Sequence, residues 1–396
     1  MGGIAQDALV VLGGAGDMGS KVVEEIARGL SDDRAVWEAE WRRAVPPRLL
    51  IADRDAGRAK DVALREAAMP GRTGIEVDAL EVDAGDPAAL AEAISGARVL
   101  VNCVGPFYRF AQGVLTAALR AGVPYVDICD DDDATVGLLS LDGMARRLGV
   151  HALIGMGWTP GISNLLAQRL VTDARVAGED DLSVAITWIG SAADAAGPAV
   201  VQHVFHAITR PVPVFRSGAW ITEPAGGGLR DVSFPRPFGQ VPAYYTGHPE
   251  AVTLPRYLDG LRDVEVRGYL LPADLQNLSR SFIQLGLLDD ERRIEGLTGL
   301  LHPFLPVLAS LGKRPTPALS GVRVDVSSSA STRSQCVIDT MRRLTGIPPA
   351  IAALALAGET DLPSGVFAPE GIADPGRILR HLQRRGIEVR GEEAAA

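Results

Sequence analysis

Near the start of the chain, an apolar run, Val10-Val11-Leu12, leads directly into Gly13-Gly14-Ala15-Gly16-Asp17-Met18-Gly19, residues with the types and spacing to hold an anion. Gly14, Gly16 and Gly19 fit G-x-G-x-x-G. Beyond them Val22, Val23, Ile26 and Leu30 recur at helical spacing. The order is strand, glycine turn, helix. The first glycine allows a sharp turn, the second lets backbone approach a pyrophosphate, and the third lets helix and strand pack closely. The helix N-terminus adds unpaired N–H donors and the positive end of its dipole. The pattern predicts a dinucleotide site built on Gly14, Gly16, Asp17, Met18 and Gly19.

The end of the second strand bears on which dinucleotide is held. An acid at Asp53 accepts hydrogen bonds from ribose hydroxyls and favours NAD. Arg54 follows it and, with Arg58 or Lys60, offers a cation for a 2′-phosphate, which favours NADP. Both cofactors stay open, with a lean to NADP. Asp83 after the third strand, and Asn102, Val104 and Gly105 after the fourth, complete the expected cofactor-binding set.

Proton chemistry has several candidates. Asp127, Cys129 and Asp130 to Asp133 follow the fifth strand, where a carboxylate would attract an ammonium group or relay a proton as a C–N bond is oxidised. Asp127 is the catalytic candidate among them. Asp132 and Asp133 equally suit the first turn of a helix, and Cys129 reads as a small apolar residue. His203 and His206 lie three apart on a predicted helix, and His206 is the candidate acid or base. A metal would need a further ligand, which the neighbouring sequence lacks, so no metal is expected. Tyr108, beside Phe107, either walls a nicotinamide or packs as core, and is the third catalytic candidate. Lysine occurs only at 21, 60 and 313, so a lysine base has three possible positions. Arg210, Arg216, Arg230, Arg236, Arg256, Arg262 and Arg267 include forks able to clamp a carboxylate. Tyr244 and Tyr245 are possible substrate contacts.

These residues need a scaffold. Six short apolar runs alternate with amphipathic helices: Ala8–Leu12, Leu49–Ala52, Ile75–Val82, Val99–Val104, Tyr125–Ile128 and Val150–Ile154. That alternation predicts a doubly wound parallel sheet, whose ligands lie beyond the carboxyl ends of its strands. The helix Ile162–Val171 is expected to close this unit. Ser31–Pro47 reads as a largely helical insertion. Then the pattern changes. Leu182–Gly190, Val214–Thr222, Val264–Leu271 and Val322–Ser327 read as strands of a largely antiparallel sheet, with a helix at Gly197–Thr209. From about Cys336 the chain reads as helical again, with helices on either side of Gly346-Ile347-Pro348-Pro349, a loop at Pro363–Phe367 and a disordered tail from Glu392. The expected class is α/β, a Rossmann doubly wound parallel sheet with an inserted α+β substrate and dimerisation domain. The expected boundaries are 1–170 plus 340–396 for the first domain and 171–339 for the second.

Composition sets outer limits. The 396 residues are 47% hydrophobic and 22% charged, which suits an ordinary globular protein of about two domains. A formal net charge of −10 disfavours nucleic acid and anionic membrane as partners. The opening residues lack a basic and apolar leader, and no apolar run reaches about 18 residues, so the reading is cytoplasmic without a transmembrane segment. Three dispersed cysteines make no disulfide framework. The most apolar stretch outside the first sheet is Leu297–Leu311, readable as core, oligomer contact or membrane-touching patch.

Several stretches together resemble the saccharopine dehydrogenase family: Val-Leu-Gly-Gly-Ala-Gly at 11–16, Ala52-Asp53-Arg54, Val101–Phe107, Tyr125–Ile128, Gly157–Asn164 and Gly365–Glu370. The resemblance implies a Rossmann domain, an inserted mixed domain, a helical return and a homodimer. It also implies an NAD(P)-dependent oxidoreductase acting on an imine, secondary amine or amino acid, of the saccharopine, opine or lysine 6-dehydrogenase type. The expected reaction is hydride transfer in an interdomain cleft on a small amino-acid-derived substrate. Two rivals stand beside it: a lipid or enoyl-type reductase, and a non-catalytic NAD(P)-binding interaction protein.

Overall fold

The apolar run that opens the glycine motif is the middle of a parallel sheet. In the computed structural model, which describes residues 5–194, 197–288, 290–304, 318–372 and 374–395, this sheet contains β1 (Leu9–Leu12), β2 (Arg48–Asp53), β3 (Glu76–Glu81), β4 (Val99–Asn102), β5 (Tyr125–Asp127) and β6 (His151–Leu153). A seventh strand, Gly365–Phe367, joins from far along the chain. Its order is Gly365–Phe367, β6, β5, β4, β1, β2, β3, and every neighbouring pair is parallel. The winding reverses between β1 and β4, the point beyond which such sheets bind ligands. β1 and β4 are buried along their whole length because helices cover both faces. This sheet belongs to the first of two compact units, formed by Met1–Cys129, Asp133–Gly157 and Thr345–Ile372.

Three expectations in this unit are corrected. Pro363–Phe367 was to be a loop. Instead Gly365–Phe367 pairs with β6, because Val366 is an apolar residue with a buried place to go and Asp142 accepts its N–H at 2.9 Å. The insertion before β2 is helical only over Arg34–Glu38, where Trp37 is the buried anchor. The break at Pro348-Pro349 is absent, and one helix runs Met341–Gly358. Ile347, Ile351 and Leu354 are all buried, and that burial holds the helix through two residues that cannot donate to it.

The second unit is formed by Asp130–Asp132, Trp158–Leu344 and Ala373–Ala396. Its mixed sheet adds β7 (Leu182–Ser191), β8 (Val212–Arg216), β9 (Ala219–Glu223), β10 (Arg230–Phe234), β11 (Gly239–Tyr245), β12 (Leu261–Leu271), β13 (Ser320–Ser327) and β14 (Ser331–Asp339). The main path is β10, β11, β12, β7, β13, β14 and a last strand, Arg390–Ala395. Only β7 and β12 run parallel among these pairs. Val214–Thr222, read as one strand, is a hairpin of β8 and β9. It turns at Ser217 and Gly218, both at positive φ, 51° and 80°. β14 extends past Cys336, where a return to helix was expected, and Arg390–Ala395 pairs along it where a disordered tail was expected. The helix Ile162–Val176, expected to close the nucleotide unit, packs on β13, β7 and the late helix Pro375–Arg384.

Strand alternation gives this sheet two unlike faces. Val184, Ile186, Val264, Val266, Val322 and Val324 form an apolar face. The intervening positions carry Ser183, Glu265, Arg267, Arg323 and Asp325. Among the described residues no helix is long and apolar enough to cross a membrane. Of Leu297–Leu311, the part to Leu301 lies on the helix Glu291–Leu301, and 305–311 lie outside the described residues.

Candidate functional site

The glycine loop has the shape of a phosphate cradle. A Cβ at Gly19 would lie 2.1 Å from the Gly13 carbonyl oxygen. One at Gly14 would lie 2.9 Å from both Ile51 and the Val11 oxygen, and Gly13 itself sits at φ +75°. Only glycine fits at these positions. The helix Asp17–Leu30 starts at Gly16 with no side-chain cap, so its first N–H groups lack the usual side-chain acceptor. Asp17 is exposed at that first turn and Met18 is buried behind it.

Asp53 ends β2 beside this loop. Its Oδ2 accepts from Ala15 N at 3.0 Å and its Oδ1 from Asp55 N at 3.1 Å. Arg58 reaches the same loop, donating to the Ala15 carbonyl at 2.9 Å. Arg54 is exposed and has no hydrogen-bond or ion-pair partner among the described residues. An acid that braces the loop and a cation without a counter-ion fit a dinucleotide carrying a 2′-phosphate. Asp83 accepts from Gly85 N at 2.8 Å and shapes the turn after β3. Asn102 is fully buried. Its Oδ1 accepts from Val104 N at 3.0 Å and its Nδ2 donates to Tyr125 Oη at 3.0 Å, so it holds the Val104–Gly105 loop in place. Lys21 is occupied by ion pairs to Glu24 at 2.6 Å and Glu25 at 2.8 Å, Lys60 is exposed, and Lys313 lies outside the described residues.

The three catalytic candidates have other surroundings. Asp127 is fully buried. Tyr125 Oη donates to its Oδ2 at 2.8 Å, and the N–H groups of Cys129 and Gly155 donate to its Oδ1 at 3.0 and 2.7 Å. It joins the ends of β5 and β6. Burial, with Asp127 beside it, holds the Tyr125 hydroxyl far above its ordinary range. Tyr108 is half-buried in the first turn of the helix Phe107–Ala121. His206 is buried, and Arg210 Nη1 lies 2.9 Å from its Nε2. A guanidinium only donates, so that nitrogen is an acceptor and the ring proton is on Nδ1.

His203 is the histidine the structure surrounds with carboxylates. Its Nδ1 lies 2.7 Å from Asp131 Oδ1 and 3.4 Å from Asp130 Oδ1. Burial alone would depress the imidazolium, but Asp130, Asp131 and Asp132 together outweigh it and raise the group to about 9. Burial pushes Asp130 up to about 6, Asp131 adds to the rise, and His203 and His248 oppose it. A proton between His203 and Asp131 is what a 2.7 Å contact calls for. The sequence names this histidine and the run Asp130 to Asp133 separately, and nothing in their spacing, 72 residues apart for His203 and Asp131, brings them together.

A second buried pair adjoins it. The His203 and His248 rings meet edge-on at 5.3 Å, and His248 meets Trp188 at 5.5 Å. His248 Nδ1 faces Glu250 Oε2 at 3.6 Å, an electrostatic contact rather than a hydrogen bond. Burial would raise Glu250, but His248, Thr159 and Ser163 hold it below its ordinary range. Its Oε1 accepts from Thr159 Oγ1 at 2.5 Å and Ser163 Oγ at 2.7 Å. His248 and Glu250 escaped the sequence reading. Thr159 and Ser163 were within the quoted Gly157–Asn164 motif, without a role.

Trp188 is also one wall of a cavity of about 260 Å³ inside the second unit, lined by Ile208, Tyr244, Thr246, Leu270 and Ile283 among others. The buried indole N–H groups of Trp158 and Trp188 find no acceptor among the described residues. On the other face of the sheet, four of the seven arginines singled out from sequence, Arg216, Arg230, Arg262 and Arg267, line a larger cavity of about 550 Å³.

Comparison with known proteins bears on the fold and the cofactor. Residues 9–137 match the family model for the saccharopine dehydrogenase NADP binding domain. The chain is 30% identical over 125 residues to a saccharopine dehydrogenase-like oxidoreductase of Mus musculus, covering 31% of this chain and 27% of the relative. Its human counterpart is 31% identical over 122 residues, covering 30% of this chain and 27% of the relative. The chain thus spans about a quarter of the length of the curated relatives it matches. Among solved structures, saccharopine dehydrogenase (L-Glu forming) from Saccharomyces cerevisiae superposes with a TM-score of 0.64 at 16% identity, over 98% of this chain and 100% of that one. The fold is therefore shared over the full length and the sequence likeness over the nucleotide-binding third.

Proposed function

We propose, from a saccharopine dehydrogenase-type NADP-binding domain at residues 9–137, that the chain is an NADP-preferring oxidoreductase acting on the C–N bond of an amino-acid-derived substrate. A nicotinamide dinucleotide, when bound, supplies or accepts the hydride. Gly14, Gly16 and Gly19 let backbone reach its pyrophosphate, Asp53 braces the loop, and Arg54 with Arg58 meets the 2′-phosphate. Asp127 and Asn102 keep the strand ends in shape.

The observation that carries the catalytic part is the His203 imidazolium held by Asp131. In the reductive direction a substrate imine gains a hydride at carbon and needs a proton at nitrogen. His203 is the group that holds a proton at neutral pH for that purpose, and in reverse it takes one back. His248 and Glu250 position it through ring contact and charge. The cavity at Trp188 suits the apolar part of the substrate. The acceptor-free indole N–H groups of Trp158 and Trp188 favour a substrate with carboxylate or oxo oxygens, since a buried unpaired donor costs about 1–3 kcal/mol.

The test is a screen of amino acids and oxo acids with NADPH and NADH, followed by absorbance of the reduced cofactor. Turnover of an amino-acid or imino substrate with NADPH is expected. Arg54→Ala should weaken NADPH binding by about tenfold and leave NADH unchanged. No turnover with any C–N substrate, or equal NADPH affinity in the variant, would overturn the reading. The apolar lining of the cavity keeps one rival, an enoyl or lipid-type reductase, which turnover of an enoyl thioester in the same screen would favour. A homodimer belongs to the same proposal, and sedimentation of the full chain checks it.

A further inference from the structure

The charged face of the second unit's sheet carries a feature the proposed reaction does not use. Four arginines, Arg216, Arg230, Arg262 and Arg267, line its cavity of about 550 Å³ against two carboxylates, Asp263 and Glu265. Strand alternation places Glu265 and Arg267 of β12 on the side opposite Gly268, which packs on Trp188. The two cavities therefore lie on opposite faces of β12, with Tyr245 lining both.

Arg262 is engaged through all three of its nitrogens, and Arg216 through both of its terminal ones. Arg262 donates to Asp181, Asp263 and Ser183 at 2.9, 2.8 and 2.8 Å. Arg216 donates to Glu223 at 2.6 Å and to Tyr245 Oη at 2.8 Å. The other two share one carboxylate. Arg230 Nη1 lies 2.7 Å from Glu265 Oε1, and Arg267 Nη1 contacts the same oxygen. Arg267 is only 5% exposed, its guanidinium 4.3 Å from the Tyr245 ring centroid, and its Nε donates to Gly228 O at 2.8 Å. Its Nη2 has no acceptor among the described residues. Glu265 leaves this pair one positive charge in excess, within a concave polar wall. A held planar fork with a free donor edge is the geometry that recognises an oxyanion.

We infer that this cavity is an oxyanion-binding site, taking a carboxylate or phosphate group on Arg230 and Arg267, independent of the proposed redox reaction. Glu265 is its internal counter-ion: it holds the guanidinium groups in place when no ligand is bound, and it moderates affinity.

Isothermal titration of the full-length protein with inorganic phosphate and with succinate, at constant ionic strength set by chloride, tests it. Saturable binding of at least one probe is expected, and whichever binds tighter identifies the oxyanion chemistry. Arg230→Gln, at a half-exposed position, should weaken binding by about tenfold, whereas Glu265→Gln should tighten it by a similar factor because it releases two guanidinium groups. Far-UV circular dichroism confirms the fold of each variant, and Arg230→Gln alone suffices if Glu265→Gln does not fold. No saturable heat with either probe, or binding that Arg230→Gln leaves unchanged (an anion on the glycine loop instead), overturns the inference.

Discussion

His203 and His206 are three residues apart on one helix, and partners alone separate them. His206 offers a lone pair to Arg210, while His203 shares a proton with Asp131. If His203 is the acid, the reductive rate should fall as pH passes the raised value near 9. His203→Gln should cut kcat by about 100-fold and abolish that limb. A variant that keeps the limb would show that another group donates the proton. Gly19 supports a sharper expectation. A Cβ there meets the Gly13 carbonyl at 2.1 Å, so Gly19→Ala must move the loop. Equilibrium titration should show dinucleotide affinity falling at least about tenfold, with the second unit's thermal transition unmoved. The close packing at Gly19 was legible from spacing alone. The choice between the histidines was not, because Asp131 is remote in sequence.

At the scale of elements, β7 and β12 lie in parallel register with Trp188 opposite Gly268. The indole lies against a position where a Cβ would come within 2.1 Å of its ring. Gly268→Ala should therefore tilt Trp188, destabilise the fold by about 1–3 kcal/mol as over-packing does, and disturb the cavity that Trp188 walls. Chemical denaturation measures the first effect and substrate KM the second. Wild-type stability would show that the ring can move away freely. The same register explains why this sheet was readable only in part. Alternation identified β7, β12 and β13. β14 and Arg390–Ala395 carry many polar and charged residues, and pairing with neighbours, rather than an apolar pattern of their own, makes them strands.

Over the whole molecule, proton binding by the His203 cluster links folding to pH. The folded His203 keeps its proton to about 9, against an ordinary value of 6.5. Its contribution to stability is therefore complete below about pH 6.5 and is lost as pH rises through about 9. Asp130, raised to about 6 from 3.8, acts in the same direction at lower pH. The gap in melting temperature between wild type and His203→Gln should narrow from pH 6.5 to 9, as followed by differential scanning calorimetry. A constant gap would mean that the proton is not held there. The sequence by itself determined the parallel α/β unit, its glycine turn, and the placing of Asp53 and Arg54 where the second strand ends. Each is a local matter of apolar period, glycine spacing and strand end, settled within a few tens of residues. Tertiary structure alone decided which carboxylates meet His203, that Asp127 braces strand ends, and which arginines share a cavity. Those outcomes depend on pairings between distant segments, where burial turns an unremarkable acid or guanidinium into a group whose charge must be matched.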